Sequence, residues 1–474
     1  MVSKLFRFGR RQLHTIVSRD LIKPSSPSPS HLKTYNLSLL DQIAVNAYGP
    51  VVAFYPSSSI YQSSYDKTLE LKNSLSHTLS RYYPFAGRFA KVGPTYVDCN
   101  DEGVDFIEAC NDSPLTDFLQ RSEHEDLDLL FPDDMIWYKS NRKGQNDEND
   151  SAKPLSVQVN HFSCGGVAVA ASLSHKIGDA SSLLNFMNHW AIVTRSHSGE
   201  HHDLSHINPH FISHQTRNVN LPKNLPDGDR PQGDIIARNF VFPNSKINDL
   251  KAKVTSMTME SGEPIMNPTR AEALTWLIHK CAVAAATKRK SGIFKPTGVG
   301  HVMSLRNNMV ERLPETSIGN LVLLMDFPTS NESELTPSSL IGKFRKRKNE
   351  FRGIRNTESA IGILAEMCSD HSAIFEKSKR LEDYYIYTVI SRFPTYGIDF
   401  GWGKPIKVTL GGALENLIIM MDAPNGKRSN SRWGHKSNSR WGKPIKVTLG
   451  DALVSLERED MKIIQKDPEL LAFC

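Results

Sequence analysis

The apolar runs in this sequence are about as long as β-strands, which limits what the chain can fold into. The clearest runs are 167–173, 321–325 and 417–421, whereas a transmembrane helix needs roughly 18 apolar residues in succession. Other segments carry apolar residues at helical spacing, and 39% of the 474 residues are apolar. The pattern predicts a soluble α/β protein with a sizeable core, and it excludes a membrane-spanning, fibrous or wholly disordered chain.

Changes in composition divide the chain into two lobes. Residues 1–15 read as a basic tail, residues 16–195 as a first lobe and residues 233–474 as a second lobe. The intervening 196–232 is rich in His, Pro and Asn and lacks apolar periodicity, so we expect it to be the interlobe linker. The tail contains no secretory apolar region, so a cytoplasmic location is expected, with organelle targeting as the alternative.

Charge and cysteine usage exclude several classes of function. With 57 basic and 51 acidic residues, the net charge of +6 is too small in a chain of this length to predict a nucleic-acid partner. The six cysteines are far apart in sequence and form no C-x-x-C pair. The sequence therefore predicts reduced thiols, with neither a metal site nor a disulfide framework.

One near-identical repeat stands close to the C-terminus. Residues 402–414 recur as 441–453, and only Gly412 and Asp451 differ between the copies. A single second copy does not make a solenoid, which needs several stacked repeats. We expect an insert at about 427–453 that loops out of the second lobe. In the alternative, the two copies compete for one position in a sheet.

Two H-x-x-x-D patterns are present, and their contexts differ. His175 and Asp179 follow the apolar run 167–173, and the small residues around Asp179 allow a ligand to approach closely. This context favours His175 as a candidate catalytic base. His124 and Asp128 lie in an acidic stretch, which is typical of a solvated surface.

Residues 399–403 form the second motif, Asp-Phe-Gly-Trp-Gly. Gly401 and Gly403 permit a tight turn with positive φ around Trp402, and Asp399 can accept backbone N–H bonds there. These properties predict a structural role. The chain has no glycine-rich phosphate loop or HRD sequence in the expected places, so the DFG triplet does not indicate a protein kinase.

An H-x-x-x-D in mid-chain followed by DFGWG resembles the plant BAHD acyltransferase family. Further stretches that resemble this family are 21–27, 37–41, 83–88, 97–100 and 319–320. The resemblance implies an α/β fold of two chloramphenicol-acetyltransferase-like lobes with a solvent channel between them. The pattern around 17–42 is similar to a branch of the family that acts on alkaloids and terpenoids.

The resemblance also implies a chemistry. The donor would be an acyl-CoA, expected to be acetyl-CoA, acting as a co-substrate with no bound cofactor and no metal. The acceptor would be an alkaloid or terpenoid alcohol, and the protein a monomer without a membrane or nucleic-acid partner. His175 would act as general base in a ternary complex without an acyl-enzyme. Asp179 would orient the loop, with Arg306 as its ion-pair partner.

Contacts with CoA are weakly indicated. The CoA phosphates could be bound by Arg270, Lys343 or Arg345, and the last two belong to a basic run over 343–355. The alternative is that this run is the solvated face of a helix.

A second function class remains open at this point. The duplicated segment makes a catalytically impaired relative credible, one that serves as a small-molecule binding protein. An esterase is disfavoured because no G-x-S-x-G nucleophile elbow is found.

Overall fold

A computed structural model describes residues 14–57, 63–91, 95–132, 135–137, 152–197, 204, 207–212, 233–290, 292–306, 308–369, 383–391, 393–423 and 448–474. Nearly all of the predicted basic tail and most of the predicted linker lie outside these residues. So do residues 427–447 of the predicted insert.

The strands are β1 (His14–Ile22), β2 (Thr34–Asn36), β3 (Tyr48–Tyr55), β4 (Arg88–Phe89), β5 (Tyr96–Asp98), β6 (Val104–Asn111), β7 (Leu155–Phe162), β8 (Val167–Ser174), β9 (His210–Phe211), β10 (Ile235–Val241), β11 (Thr297–Ser304), β12 (Ser317–Ile318), β13 (Val322–Thr329), β14 (Asp383–Val389), β15 (Lys407–Leu410), β16 (Leu417–Ala423) and β17 (Thr448–Glu457). The helices are α1 (Leu39–Ile43), α2 (Ser64–Leu79), α3 (Leu115–Arg121), α4 (Ala180–His197), α5 (Asn244–Glu260), α6 (Arg270–Arg289), α7 (Pro337–Glu350), α8 (Thr357–Ser369), α9 (Arg458–Ile464) and α10 (Pro468–Leu471).

The first sheet has six strands in the order β1-β6-β7-β8-β3-β15. All residues of β7 and β8 are buried, because these strands lie in the middle of the sheet with both faces covered. This explains why 167–173 reads as one apolar run without polar alternation. The apolar run that precedes His175 is β8, which leads directly into α4 and places His175 in the turn between them.

The second sheet has the order β10-β17-β16-β14-β11-β13, and α6 belongs to the core that it forms. This helix begins at a capping box in which Thr269 and Glu272 bond each other's backbone N–H groups. Its apolar residues are buried almost without interruption, so α6 is an internal helix. The predicted strands near 299–304 and 321–327 correspond to β11 and β13.

The segment after DFGWG does not stay with the second sheet. Strand β15 pairs antiparallel with β3, so that Leu410 lies opposite Val51 at the edge of the first sheet. The lobe boundaries at 195 and 233 stay a prediction, but the second half of the chain contributes a strand to the first sheet. Local pattern could not show this, because it does not reveal which strand will be the partner.

The expectation that 427–453 loops out is wrong over 448–453. These residues form the first part of β17, which pairs with β10 on one side and β16 on the other. Asp451 lies opposite both Val241 and Met421, and Leu453 is buried. Looping this segment out would leave the facing residues of β10 without a partner and one edge of β16 unpaired, which explains why it remains in the sheet.

Within the part of the chain that the structure describes, no helix combines the length and the apolar character that crossing a membrane requires.

Candidate active site

His175 occupies the turn between β8 and α4, and its backbone N–H donates to the carbonyl of Ala47 (2.8 Å). The residue as a whole is half-buried. Its Nε2 lies beside Gly49 of β3, where an added Cβ would stand 3.5 Å from it. Gly178 allows the turn to close onto α4, because a Cβ there would lie 2.7 Å from that of Ser182. Glycine at position 49 leaves room beside the ring, and glycine at position 178 lets the turn pack against Ser182.

The environment of His175 favours its neutral form. Burial lowers the pKa of the imidazole below its usual value of 6.5, while the charge of Asp179 and the side chain of Asn320 oppose the shift. The ring is therefore mostly unprotonated at neutral pH. A neutral imidazole can accept a proton from a bound molecule.

Asp179 forms a buried, bidentate ion pair with Arg306, which follows β11 of the second sheet. Arg306 Nη1 donates to Asp179 Oδ2 (2.6 Å), and Nη2 donates to Oδ1 (3.0 Å). Burial alone would raise the pKa of Asp179, but the charge and hydrogen bonds of Arg306 lower it below its ordinary value. The geometry is that of an ion pair that joins the two lobes and fixes the start of α4.

The segment that follows β12 wraps around this ion pair. The Leu321 N–H donates to Asp179 Oδ2 (3.1 Å), and the Gly319 N–H donates to the Ser182 hydroxyl (3.1 Å). The second lobe thus supplies both a guanidinium and backbone donors to the loop that carries His175.

Sequence reasoning missed two residues at this seam. Asn320 and Asp41 are buried and hydrogen bonded to each other, and Asn320 also donates to the carbonyl of His175. The only signal in the sequence was that both belong to stretches resembling the family, because a single Asn or Asp carries no periodic pattern.

The DFGWG segment forms a closed turn. Asp399 Oδ1 accepts the N–H groups of Gly401 and Gly403, both at 2.9 Å, and these glycines have φ of 98° and 90°. The Asp399 carbonyl also accepts a bond from Arg195 of α4. Positive φ is the reason that glycine is needed at both positions.

This turn lies far from His175. Trp402 packs edge-on against Tyr55 (5.6 Å between ring centroids), at the end of β3 opposite to Gly49. Gly49 and Tyr55 are six positions apart along the strand, about 20 Å at roughly 3.3 Å per residue. The geometry favours the structural role predicted for DFGWG.

The basic residues suggested for CoA are mostly engaged with carboxylates. Arg345 pairs with Glu272 (2.9 Å) and Lys343 with Glu334 (2.7 Å). Arg270, in the first turn of α6, has no ion pair within the described ranges. Of the three candidates, Arg270 is therefore the one whose charge is free to meet a phosphate.

The expectation that the second H-x-x-x-D pattern is a solvated surface is wrong. His124 Nε2 contacts the carbonyl of Gly412 (2.7 Å), and Asp128 accepts the Gly412 N–H (2.7 Å). Burial raises the pKa of Asp128 to about 6. These residues hold the turn after β15, so they are structural.

No group of three or more His, Cys, Asp or Glu side chains in the described ranges is arranged to hold a metal ion.

Comparison with known proteins agrees with this arrangement. Residues 14–433 match the model of the Transferase family. The chain is 32% identical to akuammiline synthase 1 of Alstonia scholaris over 458 residues, 96% of this chain and 97% of that protein. It is also 32% identical to deacetylvindoline O-acetyltransferase of Catharanthus roseus over 474 residues, 96% and 97% of the two chains. The crystal structure of vinorine synthase superposes with a TM-score of 0.73 at 27% identity and covers 97% of this chain and 98% of that one.

The fold and the family match define an acyltransferase of two α/β lobes. The chain belongs to the BAHD acyltransferases, which are the proteins that the Transferase family model describes. This confirms the resemblance that the two motifs indicated.

Proposed function

We propose that this acyltransferase moves an acyl group, specifically acetyl, from CoA to a hydroxyl of an alkaloid or terpenoid. The observation that carries the proposal is the neutral imidazole of the half-buried His175, held at the seam between the lobes. The deacetylvindoline O-acetyltransferase among the relatives supports the acetyl donor. The acceptor class rests on the family resemblance.

In the proposed reaction, His175 Nε2 takes the proton of the acceptor hydroxyl while the alcohol oxygen attacks the thioester carbonyl. The tetrahedral intermediate then collapses, the C–S bond breaks, and the CoA thiolate receives the proton from the imidazolium. Both substrates are bound together and the protein forms no bond to the acyl group. Asp179 and Arg306 take no part in the proton transfer, because they are paired with each other.

The test is transfer of labelled acetyl from acetyl-CoA to a panel of alkaloid and terpenoid alcohols. We expect an acetyl ester from at least one alcohol, and His175→Ala should lower turnover by about 10² to 10⁴ while the melting temperature is kept. His31→Ala, at an exposed histidine, is the matched control and should leave turnover unchanged. Wild-type turnover in His175→Ala would refute the assignment of the base.

The same assay separates the other function class. A folded protein whose melting temperature rises with the alcohols or CoA, yet which makes no ester from any alcohol or acyl-CoA of the panel, would be a small-molecule binding protein.

A further inference from the structure

Two short motifs have no role in the reaction as described, and the structure brings them together. The first is the stretch 37–41, which forms the start of α1, and the second is Gly319-Asn320, which follows β12. They come from different halves of the chain, and they meet at the backbone of His175.

The side-chain amide of Asn320 donates hydrogen bonds to both Asp41 and His175. The Asp41 carboxylate accepts the backbone N–H of Asn320 (2.8 Å) and one side-chain N–H (2.9 Å), both at Oδ1. The same side-chain nitrogen donates to the carbonyl of His175 (2.5 Å). Because an amide nitrogen carries two hydrogens, both bonds can exist at once. Asp41 and Asn320 are 0% and 4% exposed, so water does not compete for them.

Asp41 is itself firmly placed. It belongs to a capping box at the start of α1, where its Oδ2 accepts the N–H (3.1 Å) and the hydroxyl (2.6 Å) of Ser38. Burial raises the pKa of Asp41, and the hydrogen bonds from Ser38 and Asn320 oppose this shift. The anchor is therefore a carboxylate whose oxygens are satisfied within the protein.

The end of α1 and the residues after it hold the other side of the His175 turn. The Lys176 ammonium donates to the carbonyls of Gln42 (2.9 Å) and Ala44 (2.6 Å), and the His175 N–H donates to Ala47 (2.8 Å). The first lobe thus fixes the N–H of His175, while Asn320 of the second lobe fixes its carbonyl.

We infer that Asn320 is a positioning residue for His175, and that Asp41 is the anchor that holds it. This rests on the proposed role of His175 as the base. The Asn320 side chain bonds the peptide of His175 and sets where the imidazole stands between the lobes. A displacement of about 1 Å at a reacting group can cost about 100-fold in rate.

The test compares three variants by kcat, KM for acetyl-CoA and melting temperature. Asn320→Ala removes the two hydrogen bonds that the side-chain amide donates, to Asp41 and to His175. Asn320→Asp keeps the shape of the side chain but replaces the donor with an acceptor. The matched control is Asn185→Ala, because the Asn185 amide also crosses between the lobes, to the carbonyl of Glu315 (2.8 Å), without contacting His175.

We expect both Asn320 variants to lower kcat by about 10- to 100-fold with KM changed less than about threefold, while Asn185→Ala keeps kcat. If the isosteric Asn320→Asp kept the kcat of the unchanged protein, the shape of the side chain alone would matter, and the inference would be overturned. Equal losses in Asn185→Ala would overturn it too, since any bond between the lobes would then serve. If Asn320→Asp does not fold, because it places a second carboxylate beside Asp41, Asn320→Ala with a normal melting temperature decides by its kcat.

His175→Ala is measured in the same series, so that the two failures are distinguishable. An inactive His175→Ala beside a fully active Asn320→Ala would contradict only the positioning role. A fully active His175→Ala would contradict the proposed function and the inference together.

Discussion

The opposite charges of Asp179 and Arg306 form a buried ion pair at the seam between the lobes. Removing one partner of a buried ion pair leaves the other charge uncompensated, which typically costs about 3–5 kcal/mol. At Asp179 the loss is larger than at a surface pair, since Arg306 and the start of α4 both depend on the carboxylate.

Asp179→Asn should therefore lower the free energy of unfolding by about 3–5 kcal/mol, as measured by denaturant titration. Asp117→Asn is the matched control. Its carboxylate lies 3.7 Å from Arg121 on an exposed helix face, where the loss should stay below about 1 kcal/mol. Equal losses in the two variants would show that the pair at Asp179 is not a structural one.

The pH dependence of kcat/KM reports on His175. Its lowered pKa means that the unprotonated base persists below pH 6.5, the ordinary midpoint. We expect kcat/KM to rise with pH through a midpoint below about 6.5 and then to level off. A limb centred above pH 7 would mean that a different group titrates, or that the imidazole is more exposed to water than the structure indicates.

At the scale of single residues, the sequence predicted those site residues whose adjacent residues in the chain give a pattern. His175 could be singled out because an apolar run precedes it and small residues follow, and Arg306 because it lies in a stretch that resembles the family. Asp41 and Asn320 could not be given roles. Their partners are hundreds of residues away, and their bonds use backbone groups that every residue possesses.

At the scale of secondary-structure elements, the two copies of one sequence contribute to strands of different sheets. The octapeptide at 404–411 supplies β15 at the edge of the first sheet, and its copy at 443–450 contributes the first residues of β17 in the second sheet. Pairing with different neighbours, rather than local preference, decides between the two positions. Periodicity predicted that both segments can be strands, but it could not assign either one to a sheet.

A deletion of 427–446 tests whether the segment before β17, with the first residues of the second copy, is needed. β16 and β17 are antiparallel neighbours, and four residues would remain between them, a length that a hairpin accommodates. We expect the free energy of unfolding to change by less than about 1 kcal/mol, which in a chain of this length is a shift of about 1 °C in the melting temperature. The yield after refolding from denaturant should rise, since the shortened copy, which begins at residue 447 and is held close to β16, competes less for the edge of β3.

A Gly/Ser segment of equal length in place of 427–446 is the control for loop length. It should raise the refolding yield as the deletion does if competition by the copied sequence is the cause. A yield that rises only with the deletion would show that length, and not the sequence, is responsible.

Across the whole molecule, buried neutral histidines make stability depend on acidity. Burial lowers the pKa of His189 and His301 to about 4, and that of His279 to about 3. Neither ring nitrogen of His279 has a hydrogen-bond partner among the described residues. In the unfolded chain the same groups bind protons near pH 6.5, so the unfolded state gains protons first.

We expect the free energy of unfolding to be fully present above pH 6.5 and to fall from there towards pH 4, because the three histidines outweigh Asp128, whose raised pKa of about 6 acts in the opposite sense. His279→Phe should reduce the slope, because it removes one such group and keeps an aromatic ring against Tyr385, whereas the exposed His31→Phe should not. An unchanged slope in His279→Phe would show that this histidine is protonated in the folded state. Asp179 adds its own loss only below about pH 3.9, outside this window.

β15 comes from the second half of the chain but completes the first sheet, so it sets an order of events during synthesis. When a ribosome has made the first 400 residues, β3 still presents a bare row of peptide groups, since Leu410 has not yet emerged. The amino-terminal lobe, whose own residues are predicted to end at 195, must wait in that unfinished state while about 215 further residues are made. A stalled or truncated product would carry a sheet edge ready to join another nascent chain.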